Sequence, residues 1–283
     1  MQFGFNLLMW TDTLNDAALP YADKMKEIGF DVVEVPVFDL DNMANYEKWN
    51  KRFDELGLVR TGTAIRGPAE NMISSDPAIR KAGIEANKRN LDCCAALGCK
   101  TMAGPFHSAL GEFSGQGVTE DEWKWGVEGM REVAEHAAKV GVTLGLEYVN
   151  RFECYFLNTA ADGARFVKEV DHPSCGMMYD TFHAHIEEKN IPNAIRALKD
   201  CLVHVHISEN DRSTPGKGNV RWPENFDTLK EIGYDGIMVV EAFGLALEKL
   251  VAATKIWRKM YETEEQLAAD ALAFMKSEVA KRW

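Results

Sequence analysis

The chain alternates short apolar runs with longer stretches whose apolar residues fall three and four apart. Eight runs suit strands: QFGFNLLM, FDVVEVPV, VRTGTAI, a weaker KTMAG, VTLGLE, CGMMYD, LVHVHI and GIMVVE. Between them lie helical patterns such as DAALPYADKMKEIG, NYEKWNKRFDELG and EDEWKWGVEGMREVAEHAAKVG. Asp76-Pro77 reads as a cap followed by proline at the first helical position. Thr119 with Glu122, and Thr159 with Asp162, have the spacing of a capping interaction. Gly29, Gly57, Gly98, Gly141 and Gly233 stand where helices should stop.

Strands apolar on both faces, each followed by a helix, predict a parallel sheet covered by helices. Eight such units in 283 residues predict an α/β fold of (β/α)8 TIM-barrel type. It is expected to be a single domain over residues 1–283 with a C-terminal helical segment at about 245–283. An open doubly wound sheet is the alternative. That fold would want a GxGxxG or GxxxxGK[ST] loop, and neither is present.

Composition removes other classes. No apolar run approaches the ~18 residues of a membrane span, and MQFGFNLLMW reads as a first strand rather than a leader. The six cysteines form no CxxC pair, so reduced thiols in a cytoplasmic protein are expected. A net charge of −12 with no basic cluster argues against a nucleic-acid partner.

The ends of the last four strands carry the chemistry. VTLGLE ends on Glu147, CGMMYD on Asp180, LVHVH on His206 and IMVVE on Glu241. In this fold the C-terminal strand ends converge on one site, so the four are predicted to hold a metal together. Mostly oxygen with one imidazole favours manganese, magnesium or cobalt over a thiolate-bound structural zinc, with zinc still open. Three carboxylates around one dication leave about one negative charge, which suits a neutral polyhydroxylated ligand better than an anion. His183 follows Asp180 by three residues and Arg212 follows His206 by six, so both can reach the same mouth. His107, in GPFHSALG after the fourth strand, is expected in the pocket. His204 alternates with His206 one layer deeper and is read, with His185, as packing or surface; His136 and His172 are assigned no role.

Several stretches resemble the ketose 3-epimerases, the group of D-tagatose, D-allulose (D-psicose) and L-ribulose 3-epimerases. They are GPAEN with SSDPAIR, LEYVNRFECYFLNT, YDTFHAHIEE, HVHISENDR with PGKG, and VVEAF followed by KIWR. The resemblance implies one divalent metal, Mn2+ or Co2+ in most members, on Glu147, Asp180, His206 and Glu241. It implies that Glu153, His183 and Arg212 bind the O1–O3 end of a free ketose, with Glu147 and Glu241 doubling as acid and base. Epimerisation at C3 would then pass through a cis-enediolate, one glutamate removing a proton and the other returning one to the opposite face. Dimers or tetramers are also implied. The chain departs from better-known members at Asn6, at Leu14 and in the loop 104–113, positions expected to face the C4–C6 end of the sugar, which counts Asn6 among the substrate contacts.

Rivals remain. An aldose–ketose or inosose-type isomerase or dehydratase would use the same metal cradle. A phosphodiester-cleaving barrel of the endonuclease IV type would want more than seven histidines and a basic groove. A barrel that only binds sugar or metal has no need of two opposed glutamates. The stripe of Leu250, Ile256, Trp257, Leu267, Leu272 and Phe274 reads either as packing on the barrel or as a subunit contact.

Overall fold

Apolar β-branched residues flanking the single acid of VVEVP commit that run to burial on both sides, and it forms a fully buried strand, Val32–Pro36. In the computed structural model, which describes residues 1–283, this is β2 of eight parallel strands. The others are β1 (Gln2–Asn6), β3 (Val59–Thr63), β4 (Thr101–Gly104), β5 (Thr143–Glu147), β6 (Cys175–Asp180), β7 (Leu202–Ile207) and β8 (Ile237–Val240). They close in sequence order, and β8 returns to β1 with Gln2 opposite Ile237 and Phe5 opposite Val240. This is the predicted TIM barrel, and the doubly wound alternative is overturned by the closed sheet.

The first strand is shorter than its apolar run. Asn6 ends it: its Oδ1 accepts the N–H of Leu8 at 2.9 Å and turns Leu7–Met9 into a single 3-10 turn. The predicted caps form to different degrees. Thr119 and Glu122 make the full reciprocal box, with the Thr119 N–H donating to Glu122 at 2.7 Å. Thr159 accepts from the Asp162 N–H, but the shorter Asp162 side chain meets the Thr159 hydroxyl instead of its backbone. Gly104 ends β4 at φ +122°, where a Cβ would lie 2.4 Å from the Ala64 carbonyl oxygen. Only glycine tolerates both demands.

The C-terminal segment divides. Helix Glu264–Ala280 buries Leu267, Ala271, Leu272 and Met275, and Phe274 packs edge-on against Trp222 and Phe226. Packing on the barrel therefore explains that part of the stripe. The short helix Glu248–Thr254 buries nothing fully. Leu250 and Ile256 instead pack with Leu8 and Phe243 at the barrel mouth, while Trp257 is 68% exposed. All six cysteines are free, as expected, and no helix is long and apolar enough to cross a membrane.

Candidate metal centre and its cavity

Strand register decides which side chains share a layer. Asp180 lies opposite His206, and His206 opposite Val239. Glu147 ends β5, and Glu241 follows β8 by one residue with its N–H on the Ile207 carbonyl. One ligand atom from each of Glu147, Asp180, His206 and Glu241 lies within 4.8 Å of all the others, and all four residues are buried.

Two of these atoms have no hydrogen-bond partner: Glu147 Oε1 and His206 Nδ1. An unpaired buried acceptor costs about 1–3 kcal/mol. Two that converge with two further carboxylates fit a divalent cation, and three oxygens with one nitrogen suit manganese, cobalt or magnesium. Burial, with Glu241 and Asp180 nearby, raises Glu147 to about 7 against the pull of His183. Burial would also raise Asp180, but Arg212, His183 and His206 hold it below the usual carboxylate range.

The predicted flanking residues arrive at this cluster. Arg212 Nη1 donates to Asp180 Oδ2 at 2.9 Å and Glu241 Oε2 at 2.6 Å. Its guanidinium lies 3.7 Å from the Phe182 ring centre and 5.1 Å from that of Phe243, a placement that favours a flat cation. His183 Nδ1 accepts the Asn150 N–H at 3.0 Å. That turns Nε2 toward Glu147 Oε1, 3.3 Å away. Glu153 accepts from Asn150 Nδ2 at 2.7 Å.

Above the cluster opens a cavity of about 510 Å3 whose polar floor is Glu147, Glu153, His183, Arg212 and Glu241. Its walls are largely apolar, including Leu8, Phe38, Leu110, Phe113, Phe152 and Phe243. Three expected pocket positions, His107, Asn6 and Leu14, are not among its lining. His107 is fully buried, with Nε2 on the Glu147 carbonyl oxygen at 2.8 Å and Nδ1 near the Ser108 hydroxyl. Burial lowers it to about 4, so it is a neutral strut for β5. Asn6 is also fully buried: its Nδ2 donates to Glu34 Oε1 at 2.9 Å and approaches Glu241 Oε1 at 3.5 Å. Leu14 is buried and absent from the lining too. The loop 104–113 does contribute, through Pro105, Leu110, Gly111 and Phe113.

Sequence reasoning missed two acids. Glu34, on β2, accepts from Asn6, Thr61 and His206 beneath the cluster. Its signal was a single charge among the apolar residues of VVEVP. Glu209 is buried and accepts from the N–H groups of Asn210, Gly216 and Val220 and from Trp222 Nε1. Four donors on one carboxylate tie down the loop that presents Arg212 in a left-handed conformation, φ +62°. A Cβ on Gly218 would fall 2.6 Å from the Glu209 carboxyl carbon. The second glycine of PGKG is thus what lets the loop close over this acid.

Comparison with known proteins agrees with this geometry. The xylose isomerase-like TIM barrel family matches residues 22–278. A D-psicose 3-epimerase of Agrobacterium fabrum is 32% identical over 98% of each chain. A ketose 3-epimerase of Arthrobacter globiformis is 31% identical over 99% of this chain and 97% of its own. The crystal structure of a Methylomonas D-allulose 3-epimerase in complex with D-allulose superposes with a TM-score of 0.91 at 29% identity, over 100% of this chain and 97% of that one. With its closed barrel and four converging strand ends, the chain belongs to the xylose isomerase-like TIM barrel family, among the ketose 3-epimerases.

Proposed function

We propose that this protein epimerises a free ketose at C3, using one divalent cation and two glutamates. The observation that carries the reading is the placement of Glu147 and Glu241. They come from β5 and β8, with Asp180 and His206 between them in strand order, at the floor of one cavity. D-Fructose with D-allulose, D-tagatose and L-ribulose are the ketoses of choice. Relatives are named for D-psicose (D-allulose) and L-ribulose, and D-psicose 3-epimerases have been solved with D-tagatose and in the presence of D-fructose.

Glu147, Asp180, His206 and Glu241 would hold the cation, which supplies Lewis acidity to the carbonyl end of the sugar when bound. Arg212 and His183 would hold O1 and O2 by hydrogen bonds, and Glu153 a hydroxyl at the same end, which fixes the C3–H bond relative to the carboxylates. One glutamate takes the C3 proton, and the electron pair moves through C2 onto O2 to give a cis-enediolate. The other glutamate, which enters the cycle protonated, delivers its proton to the opposite face of C3, and the carbonyl re-forms at C2. The two carboxyl groups have then exchanged protonation states, to be reset by exchange with water. Atoms and charge balance, and the product differs only at C3. With the cation bound, its charge would favour the ionised form of Glu147, which can then accept a proton. Phe182 and Phe243 keep Arg212 flat and exclude water beside it.

Proton spectra of D-fructose, D-tagatose, D-allulose and L-ribulose incubated with the metal-loaded protein in deuterated water test the reaction class. Deuterium at C3 with the C3 epimer accumulating is the expected result. Deuterium at C1 with an aldose product would make it an aldose–ketose isomerase instead.

A further inference from the structure

Below the four-residue cluster lies a second group of ionisable side chains, Glu34, His204 and His206, all fully buried. His206 belongs to both. Its Nδ1 faces Glu241 Oε1 at 3.5 Å, and its Nε2 lies 2.6 Å from Glu34 Oε1. We propose that Glu34 is a positioning residue: it takes the Nε2 proton of His206 as a hydrogen bond and so leaves Nδ1 unprotonated toward the cation. This deepens the one-ion reading above and rests on it.

The geometry favours that role over a second ion. Glu34 sits opposite Asn6 on β1 and Thr61 on β3. Both neighbours donate to it at 2.9 Å, Asn6 to Oε1 and Thr61 to Oε2. Its lone pairs are therefore largely committed, and its carboxylate plane is fixed from both sides. His204 Nε2 approaches Oε2 to 2.9 Å but off the line of a hydrogen bond. A separation of 2.6 Å is a charge-assisted hydrogen bond. Two ligand atoms about 2.1 Å from one ion stand roughly 3 Å apart or more. An imidazole whose far nitrogen donates to a carboxylate is held in one tautomer and made a stronger ligand, and loss of such a partner costs about 10–100-fold in metal affinity.

Two variants test the assignment. In Glu34→Leu nothing accepts the Nε2 proton; in Glu34→Gln the amide oxygen still does, without charge. Chelator-stripped wild type and both variants are titrated with Mn2+ in a calorimeter. Nitrogen-15 histidine spectra are then recorded on the Mg2+-loaded forms, and melting of the apo forms reports on folding. The expected result is one Mn2+ per wild-type chain, weakened about tenfold in E34Q and about a hundredfold in E34L, with His206 in a single Nε2–H tautomer in wild type and E34Q and a mixture in E34L. If E34L does not fold, E34Q alone decides by its affinity. Affinities within about twofold of wild type, with the tautomer unchanged, would overturn the proposal. So would two Mn2+ per wild-type chain with one lost on substitution, since Glu34 would then be a ligand. No Mn2+ on the wild type would overturn the one-ion reading and this assignment with it.

Discussion

The floor and the mouth of the cavity are built on opposite principles. In the floor, nearly every polar atom is engaged by another fixed group: Asn6, Thr61 and His206 on Glu34, Arg212 on Asp180 and Glu241, Asn150 on His183. Among the four clustered ligand residues, the unengaged atoms Glu147 Oε1 and His206 Nδ1 lie in a single cluster. At the mouth, aromatic and aliphatic groups dominate, with Phe113 at 49% and Phe152 at 75% exposure. A dense polar layer on rigid strands fixes atoms for chemistry. A loose apolar rim shapes what enters without dictating where each hydroxyl sits.

The contrast predicts a gradient of effects. Removing the cation should do the most: chelation is expected to abolish turnover, and loading with Mn2+ to raise the melting temperature by about 5 °C at a hundredfold excess over Kd. Assays and melting curves before and after chelation check both. With Mn2+ in excess, because each residue would also ligate the cation, Glu147→Gln or Glu241→Gln should lower kcat about 10³-fold while sugar still binds, since the acid/base carboxylate is lost; steady-state kinetics and ligand-detected spectra separate the two. Arg212→Ala should cost about 10² in kcat/KM, because a donor fixed between Phe182 and Phe243 is lost. Glu209→Gln puts an amide group among four N–H donors, and kcat is expected to fall about tenfold as the Arg212 loop loosens. At the mouth, Phe113→Ser should change KM by about threefold with kcat unaltered, and by different amounts for L-ribulose and D-tagatose. A kcat loss at Phe113 as large as that at Glu209 would erase the distinction between the two regions.

The same division governs what could be read from the sequence. The strands were legible because each buries apolar groups on both faces, and Glu147, Asp180, His206 and Glu241 because a charge at the end of such a strand stands out. Glu34 lies inside a strand, where a single acid among valines carries no mark of which face it occupies; only register with Asn6 and Thr61 reveals it. Asn6 was placed at the pocket by the family resemblance and His107 by its position after the fourth strand, yet each turns inward and bonds the layer beneath or behind. The PGKG loop was visible as a motif, but its reason, a buried Glu209 with no room for a Cβ at Gly218, is tertiary.

The central claim, two glutamates serving opposite faces of C3, is tested most directly by half-reactions. E147Q and E241Q, each loaded with Mn2+, would be incubated separately with D-fructose and with D-allulose in deuterated water. Each variant is expected to wash deuterium into C3 of one sugar only, with retention of configuration, and the two variants should choose opposite sugars. Exchange into both sugars by either variant, or full epimerisation by one of them, would contradict the assignment of one face to each carboxylate.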